Sequence, residues 1–346
     1  MCYKTAVPEL PSSVDVAIIG GGFAGAATAW ALRRVGVTNV IVLEREIALG
    51  RFASGRSAGL GRQLAEDDHT TALTVRGAQL MREHLAAAWT PTGGILSFDD
   101  TALATAYVER AARFAIPVET GDLRSVLASW SVGDLRVARA LYVASDGTID
   151  VAVLLRELLA GVRVELSAGV ERVEPQRVVT ARGAIAARVI VDASGAWAGR
   201  MTGGEELLTY KRHVFVMGSE VVGNVPWLWH VGAGEMYLRR DGEGVLGSPC
   251  DAARCEPGHQ DPDLVGEAHM RRLLEDVESP LASAVFTRRW ACQRAYTSDR
   301  KMRLGRDDTR PWLVWAAGLG GHGATAAPAV GERVATDVVL ALQGGQ

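Results

Sequence analysis

Lysine is almost missing from this chain: three stand among 37 basic residues, at Lys4, Lys211 and Lys301, and the rest are arginine. Arginine used this freely reads as codon bias, so an arginine cluster carries weight only where a motif supports its position. Cysteine is scarce as well. The four (Cys2, Cys250, Cys255, Cys292) are too few for a disulfide-built domain and none form a Cys-x-x-Cys pair, which fits a reducing compartment. Neither charge sign dominates, with 37 basic against 40 acidic residues and a net charge of -3. That excludes the basic surface of a nucleic-acid or anionic-membrane binder, and a small-molecule partner is expected. No uninterrupted apolar run reaches ~18 residues, and the start lacks a basic region followed by an apolar stretch and cleavage site, so a cytoplasmic location is expected.

What is present suffices for a sizeable core. Hydrophobic residues make up 48% and charged residues 22% of 346, which at ~100–200 residues per domain allows two or three domains. A β-branched run at 14–19 reads as a buried strand, a glycine cluster ends it, and residues 26–34 read as a helix closed by Gly36. Residues 39–43 form the next apolar run, so the start is a βαβ unit with a parallel sheet. Helical patterns recur over 66–90, 101–140, 149–159 (entered by Asp150) and 324–342. A turn and strand are expected over 93–98, short strands at 141–143, 162–166, 170–173, 178–180, 189–192 and 312–315, and 205–290 is strand-rich with aromatics.

Gly20-x-Gly22-x-x-Gly25 follows a strand, opens a helix and precedes Glu44 at the end of the next strand. The first glycine permits the tight turn, the second lets the backbone approach a pyrophosphate, and the third allows helix and strand to pack. The helix N-terminus then faces the phosphates, and Glu44, nineteen residues after Gly25, is placed to accept from ribose hydroxyls. The pattern does not separate NAD from FAD.

Three segments carry a family resemblance: residues 20–44 continuing into 50–59 (GRFASGRSAG), then 191–197 (VDASGAW), then 316–323 (AAGLGGHG). Together they resemble the FAD-dependent D-amino acid oxidase superfamily, most of all the branch of D-arginine dehydrogenase, glycine oxidase and monomeric sarcosine oxidase. The resemblance implies FAD contacts at Gly20, Gly22, Phe23, Ala24, Gly25, Glu44, Arg45, Arg56, Ser57, Ala58, Arg62, Val170, Ala193, Gly195 and Trp197. It further implies a flavin cradle at Gly318, Gly320, Gly321, His322 and Gly323. A helix N-terminus of glycine N–H groups suits the negative charge of a reduced flavin.

The same resemblance implies substrate residues. Arg294, in the segment 290–299 (WACQRAYTSD), matches the arginine that grips the substrate carboxylate, and Arg212 matches a second carboxylate-contacting arginine. A guanidinium holds a carboxylate through two charge-assisted hydrogen bonds, which fixes the α-carbon. Tyr237 sits on a strand expected beside the flavin. Arg239 stands where sarcosine oxidases carry a lysine that assists oxygen, a departure that speaks against oxidase activity. His322 resembles a flavin-proximal histidine. Cys292 matches the position of covalent flavin attachment through sulfur, although its surroundings follow the non-covalent branch. Trp227, Trp229, Tyr237, Trp290 and Tyr296 cluster in the substrate half, as a pocket or as core. Cys250-x4-Cys255-x3-His259 lacks a fourth ligand and a standard zinc spacing, so no metal is expected.

The fold expected is α/β (α+β overall): a Rossmann-like FAD-binding domain from 14–97, 142–204 and 296–346, with an interleaved mixed-sheet substrate domain from 98–141 and 205–295. The function expected is FAD-dependent oxidation of the C–N bond of an amino acid or related amine to an imine, in a monomer, a homodimer or a heteromeric complex. Two alternatives stay open: a flavin monooxygenase using NAD(P)H, and a non-catalytic FAD-binding subunit.

Overall fold

The computed structural model describes residues 9–120, 139–218, 225–242 and 244–344. A parallel sheet forms the centre of the first half, and its strands are the β-branched runs. β1 (Ser13–Ile19) lies between β2 (Val40–Leu43) and β12 (Gly183–Asp192), with β9 (Arg163–Glu165) beyond β2 and β20 (Leu313–Ala317) on the far end of β12, all parallel. Antiparallel additions complete the eight strands: β10 (Val170–Glu174) and β11 (Arg177–Thr180) join β12, and β19 (Arg303–Arg306) joins β20.

Alternation along β1 explains the layers. Val16 and Ile18 face helices α1 (Phe23–Arg34), α2 (Asp68–His84), α4 (Val151–Leu159) and α6 (Gly323–Gln343), whereas Ala17 and Ile19 face the apolar side of the β10–β11 hairpin. Small residues let α1 and α6 touch: a Cβ at Gly331 would lie 2.2 Å from the Ala27 carbonyl oxygen.

A second sheet of nine strands is mixed. Its order runs β17 (Ala253–Arg254), β13 (Leu208–Gly218), β16 (Gly244–Ser248), β15 (Met236–Asp241), β14 (Trp227–Val231), β5 (Gly94–Phe98), β7 (Arg139–Val143) and β6 (Glu119–Thr120), with β18 (Phe286–Tyr296) also paired to β13. One face is covered by α5 (Leu264–Asp276) through Met270 and Leu274. The other presents Val214, Trp229, Tyr237 and Cys250 toward the first half of the molecule. A three-stranded ribbon of β3 (Leu60–Gly61), β8 (Gly147–Ile149) and β4 (Trp89–Thr90) lies between them in the chain. The remaining helix, α3 (Thr101–Arg113), packs on β5 and β7 through Tyr107 and Ala104.

Some expected bounds shift. The helix of 66–90 stops at His84 and the chain turns into β4 ahead of Pro91, whose ring disfavours helix in the residue before it. The helix of 101–140 stops at Arg113, followed by Ala115 in left-handed conformation (φ 51°) and Pro117. Residues 121–138 of that stretch lie outside the described residues. Strand pairing also moves two divisions between the halves. Gly94–Phe98 pairs with Trp227–Val231, and Arg139–Val143 pairs with Gly94–Phe98, so boundaries at 97/98 and 141/142 would cut through strands of the second sheet.

Candidate active site

At the end of β1 the chain turns at Gly20, whose φ of +102° and close approach leave no room for a side chain: a Cβ would lie 2.6 Å from the Ala193 oxygen. At Gly25 a Cβ would lie 2.0 Å from the Gly20 oxygen, so this glycine serves packing. Gly22 caps α1 with no side chain of its own; Ser54 Oγ supplies the missing acceptor and takes the Phe23 N–H at 2.9 Å. Glu44 follows β2 and accepts the Gly21 N–H at 2.9 Å on Oε2 and the Glu46 N–H at 3.0 Å on Oε1.

These groups border a cavity of about 270 Å³ at the carboxyl ends of β1, β2, β12 and β20, where open α/β sheets bind ligands. Gly20, Gly22, Phe23, Ala24, Glu44, Arg45, Ser57, Ala58, Val170, Ala193, Gly195 and Trp197 line it together with Gly318, Gly320, Gly321 and Gly323. Near Glu44 the Arg45 guanidinium sits 3.7 Å from the Trp197 ring centre and 4.8 Å from that of Phe52. The opposite end is formed by Tyr237, Cys292, Arg294 and the glycine turn before α6. There a Cβ at Gly320 would press on Tyr296 at 2.4 Å, and one at Gly321 would lie 2.8 Å from an Arg294 Nη.

A smaller cavity of about 30 Å³ adjoins this end and shares Ser57, Ala58, Tyr237, Arg294, Gly321 and Ala324 with it. Arg62, Trp229 and His322 close its remaining sides. Arg62 is 3% exposed, lies over the Trp229 ring at 4.0 Å and pairs through Nη2 with Glu66 at 2.6 Å. Its Nε and Nη1 are buried without a partner. His322 Nε2 stands 2.7 Å from Glu66 Oε2 and 3.2 Å from the same Arg62 Nη2. Partial desolvation beside the cavity works to raise the Glu66 carboxyl, but Arg62 and His322 outweigh it and hold the group well below the ordinary range. Burial pushes the Tyr237 phenol up to about 12, so it stays a hydrogen-bond donor at neutral pH.

Arg294 makes no hydrogen bond or ion pair among the described residues, although it borders both cavities. Arg212 borders neither. It pairs across strands with Cys292, on the same face of the sheet as Arg294, and its Nε and Nη1 are buried without a partner. Two further arginines are committed elsewhere. Arg56 donates to the Ala291 and Gln260 carbonyls at 2.8 and 3.2 Å and contacts His259, which ties the loop to β18. Arg239 donates to the Ala58 carbonyl and to Asp241, so it braces the wall and itself lines neither cavity. Of the five aromatic candidates, Trp229 and Tyr237 line the cavities. Trp227 is fully buried beside Gly94, Trp290 donates to the Arg56 carbonyl and Tyr296 backs Gly320. Cys250 and His259 are separately occupied, the first buried and the second against Arg56 and Asp261.

Motif reading does not reach Ser54 or Glu66. Ser54 was findable in principle, because a glycine N-cap requires an oxygen from elsewhere. Glu66 stands four residues after Arg62, a spacing at which charges pair.

Comparison with known proteins agrees with this geometry. The family described as DAO, FAD dependent oxidoreductase, matches residues 15–336. Mitochondrial sarcosine dehydrogenase of Mus musculus is 30% identical over 276 residues, covering 68% of this chain, and the chain spans only 29% of that protein. Glycine oxidase of Bacillus licheniformis is 25% identical over 356 residues, covering 94% of this chain and 93% of its own. Among solved structures, L-proline dehydrogenase from P. horikoshii superposes with a TM-score of 0.85 at 22% identity, covering 94% of this chain and 93% of that one. Glycine oxidase from Geobacillus kaustophilus gives 0.81 at 22% identity, with 95% of each chain covered. Among the described residues no helix is long and apolar enough to cross a membrane. With the matched family spanning nearly the whole chain, the protein belongs to the DAO family of FAD-dependent oxidoreductases.

Proposed function

We propose that this chain oxidises the C–N bond of a small amino acid, primary or N-alkylated, to an imine. The observation that carries the reading is Arg294, a cation without a protein partner at the junction of the two cavities. The fit of FAD to the larger cavity is supported by the Gly20 and Gly321 close approaches, the two helix N-termini and the Glu44 carboxylate. A Cβ would fill the space at each of those glycines, and first-turn N–H groups have no intrahelical acceptor. Bound there, FAD supplies the two-electron acceptor for the hydride that leaves the substrate carbon.

The chain's own residues bind, orient and exclude. Arg294 holds the substrate carboxylate through two charge-assisted bonds, each worth ~1.5–3 kcal/mol, and so fixes the carbon beside it. Tyr237 offers its phenolic proton from the same wall, while Trp229 and Arg62 close the side away from the larger cavity. Neither cavity is lined by a lysine, and Glu66 is held as an ionised partner of Arg62 and His322. The substrate amine therefore enters neutral, and holding it so costs ~1.4 kcal/mol per pKa unit of lowering. A pH profile of flavin reduction with no ionisation on the substrate amine would contradict that step.

Cys292 borders the larger cavity and burial raises its thiol, keeping it neutral, so the FAD is read as non-covalent. The test of the function is anaerobic mixing of the FAD-loaded protein with D- and L-amino acids, glycine, sarcosine and simple amines, following oxidised flavin absorbance. Bleaching by small amino acids supports the reading. Bleaching by NADPH alone would replace it with the monooxygenase alternative.

A further inference from the structure

Beside the segment that follows β3 and carries Arg62 lies a carboxyl group with no exposed surface. Asp146, just before β8, accepts two hydrogen bonds on the single oxygen Oδ1: from the Gln63 backbone N–H at 3.1 Å and from Gln63 Nε2 at 2.9 Å. Its other oxygen, Oδ2, is buried without a partner. Gln63 Nε2 also reaches Ser145 Oγ at 2.7 Å, and the Gln63 carbonyl accepts from Thr74 on α2. Every polar group of Gln63 on this side is therefore occupied, and the next residue back along the chain is Arg62, whose guanidinium closes the small cavity.

We propose that Asp146 is a positioning residue for Arg62: by gripping Gln63 it fixes the backbone from which the Arg62 guanidinium reaches the cavity over Trp229. The charged groups facing Asp146 among the described residues are Arg62 and, from α2, Arg82, which donates to the Ser145 carbonyl. Burial raises the Asp146 carboxyl to about 7, so near neutrality it exchanges between a neutral and a charged form. The charged form accepts the two Gln63 N–H groups more strongly than the neutral acid does, which tightens the grip on Gln63.

The inference rests on the small cavity being a carboxylate site, but its test does not need turnover. Acetate is titrated into FAD-loaded protein from pH 6 to 8.5, with perturbation of the flavin spectrum as the readout. Wild type is expected to gain affinity as pH rises through 7. Asp146→Asn, which keeps an acceptor oxygen without a charge, is expected to match wild type at pH 6 and to show no gain up to pH 8.5. Asp146→Ala is expected to bind about tenfold more weakly at every pH, with unchanged far-UV circular dichroism. Identical pH profiles for wild type and Asp146→Asn, or unchanged binding in Asp146→Ala, would overturn the proposal. A wild-type flavin indifferent to acetate would overturn it together with the carboxylate site. If acetate separates the variants as expected while no amino acid reduces the flavin, the oxidation reading fails and the positioning role stands.

Discussion

The guanidinium carbon of Arg62 stands 4.0 Å from the centre of the Trp229 ring, and Trp229 in turn tilts against Tyr237 at 5.1 Å. Glu66 secures the outer layer of this stack and Glu235, accepting from the Trp229 indole at 2.9 Å, secures the middle one. The stack is the roof of the small cavity, and cation–π contact in a desolvated place is worth ~2 kcal/mol.

That roof sets substrate size. A cavity of about 30 Å³ has room for a side chain of two or three non-hydrogen atoms if each needs ~10–15 Å³, so a methyl-sized side chain fits there and a phenyl ring does not. Trp229→Ala is expected to raise the kcat/KM ratio of phenylalanine over alanine by at least about tenfold. An unchanged ratio would mean the side chain goes elsewhere.

Gly25→Ala should abolish FAD binding, because its Cβ would stand 2.0 Å from the Gly20 carbonyl oxygen on which the turn depends. Gly218→Ala is the control, since its Cβ would meet nothing within 4 Å. Flavin absorbance of the two purified variants checks the pair, and equal FAD content would show that the close approach at Gly25 is dispensable.

Acid precipitation of the holoprotein should leave all the flavin in the supernatant. The Cys292 thiol is raised by burial, with Arg294 and Arg212 pulling back only in part, so it is not poised as a thiolate. Yellow pellet material that survives in Cys292→Ser would place the bond at another residue, and its loss in that variant would locate it at Cys292.

Stability should fall between about pH 4 and pH 7 through Asp146. Its folded carboxyl, raised to about 7 from an ordinary value near 4, retains a proton that the unfolded chain has released. The contribution is fully present below the ordinary value and is lost as pH rises through the folded one. Asp146→Asn should flatten that part of the curve of Tm against pH, and a parallel pair of curves would contradict the assignment.

How far the sequence carried these conclusions varies with the kind of contact. Gly20, Gly25 and Glu44 were legible because backbone turns and strand ends sit at fixed spacings, and the resemblance extended this to the turn at 318–323. Arg294 was expected from the resemblance alone, and it borders the cavity. The contacts of Arg56 and Arg239 were not legible, since a long side chain on a well-placed backbone can still reach a carbonyl instead of the ligand, as both do here. Asp146 gave no local signal at all. It meets Gln63 across 83 positions of chain, a juxtaposition created by the β3–β8 ribbon. Likewise Gly94–Phe98 joined the second sheet through β14, more than a hundred residues later in the chain.

The most direct test of the account compares one small amino acid that reduces the flavin with its own carboxamide, anaerobically, in wild type and in Arg294→Met. The account predicts rapid bleaching by the acid in wild type, loss of about a hundredfold or more with either the carboxamide or the variant, and no further loss when the two changes are combined, as expected for two bonds of ~1.5–3 kcal/mol each. Equal rates for acid and carboxamide in wild type would contradict it, because Arg294 would then not be holding the carboxylate.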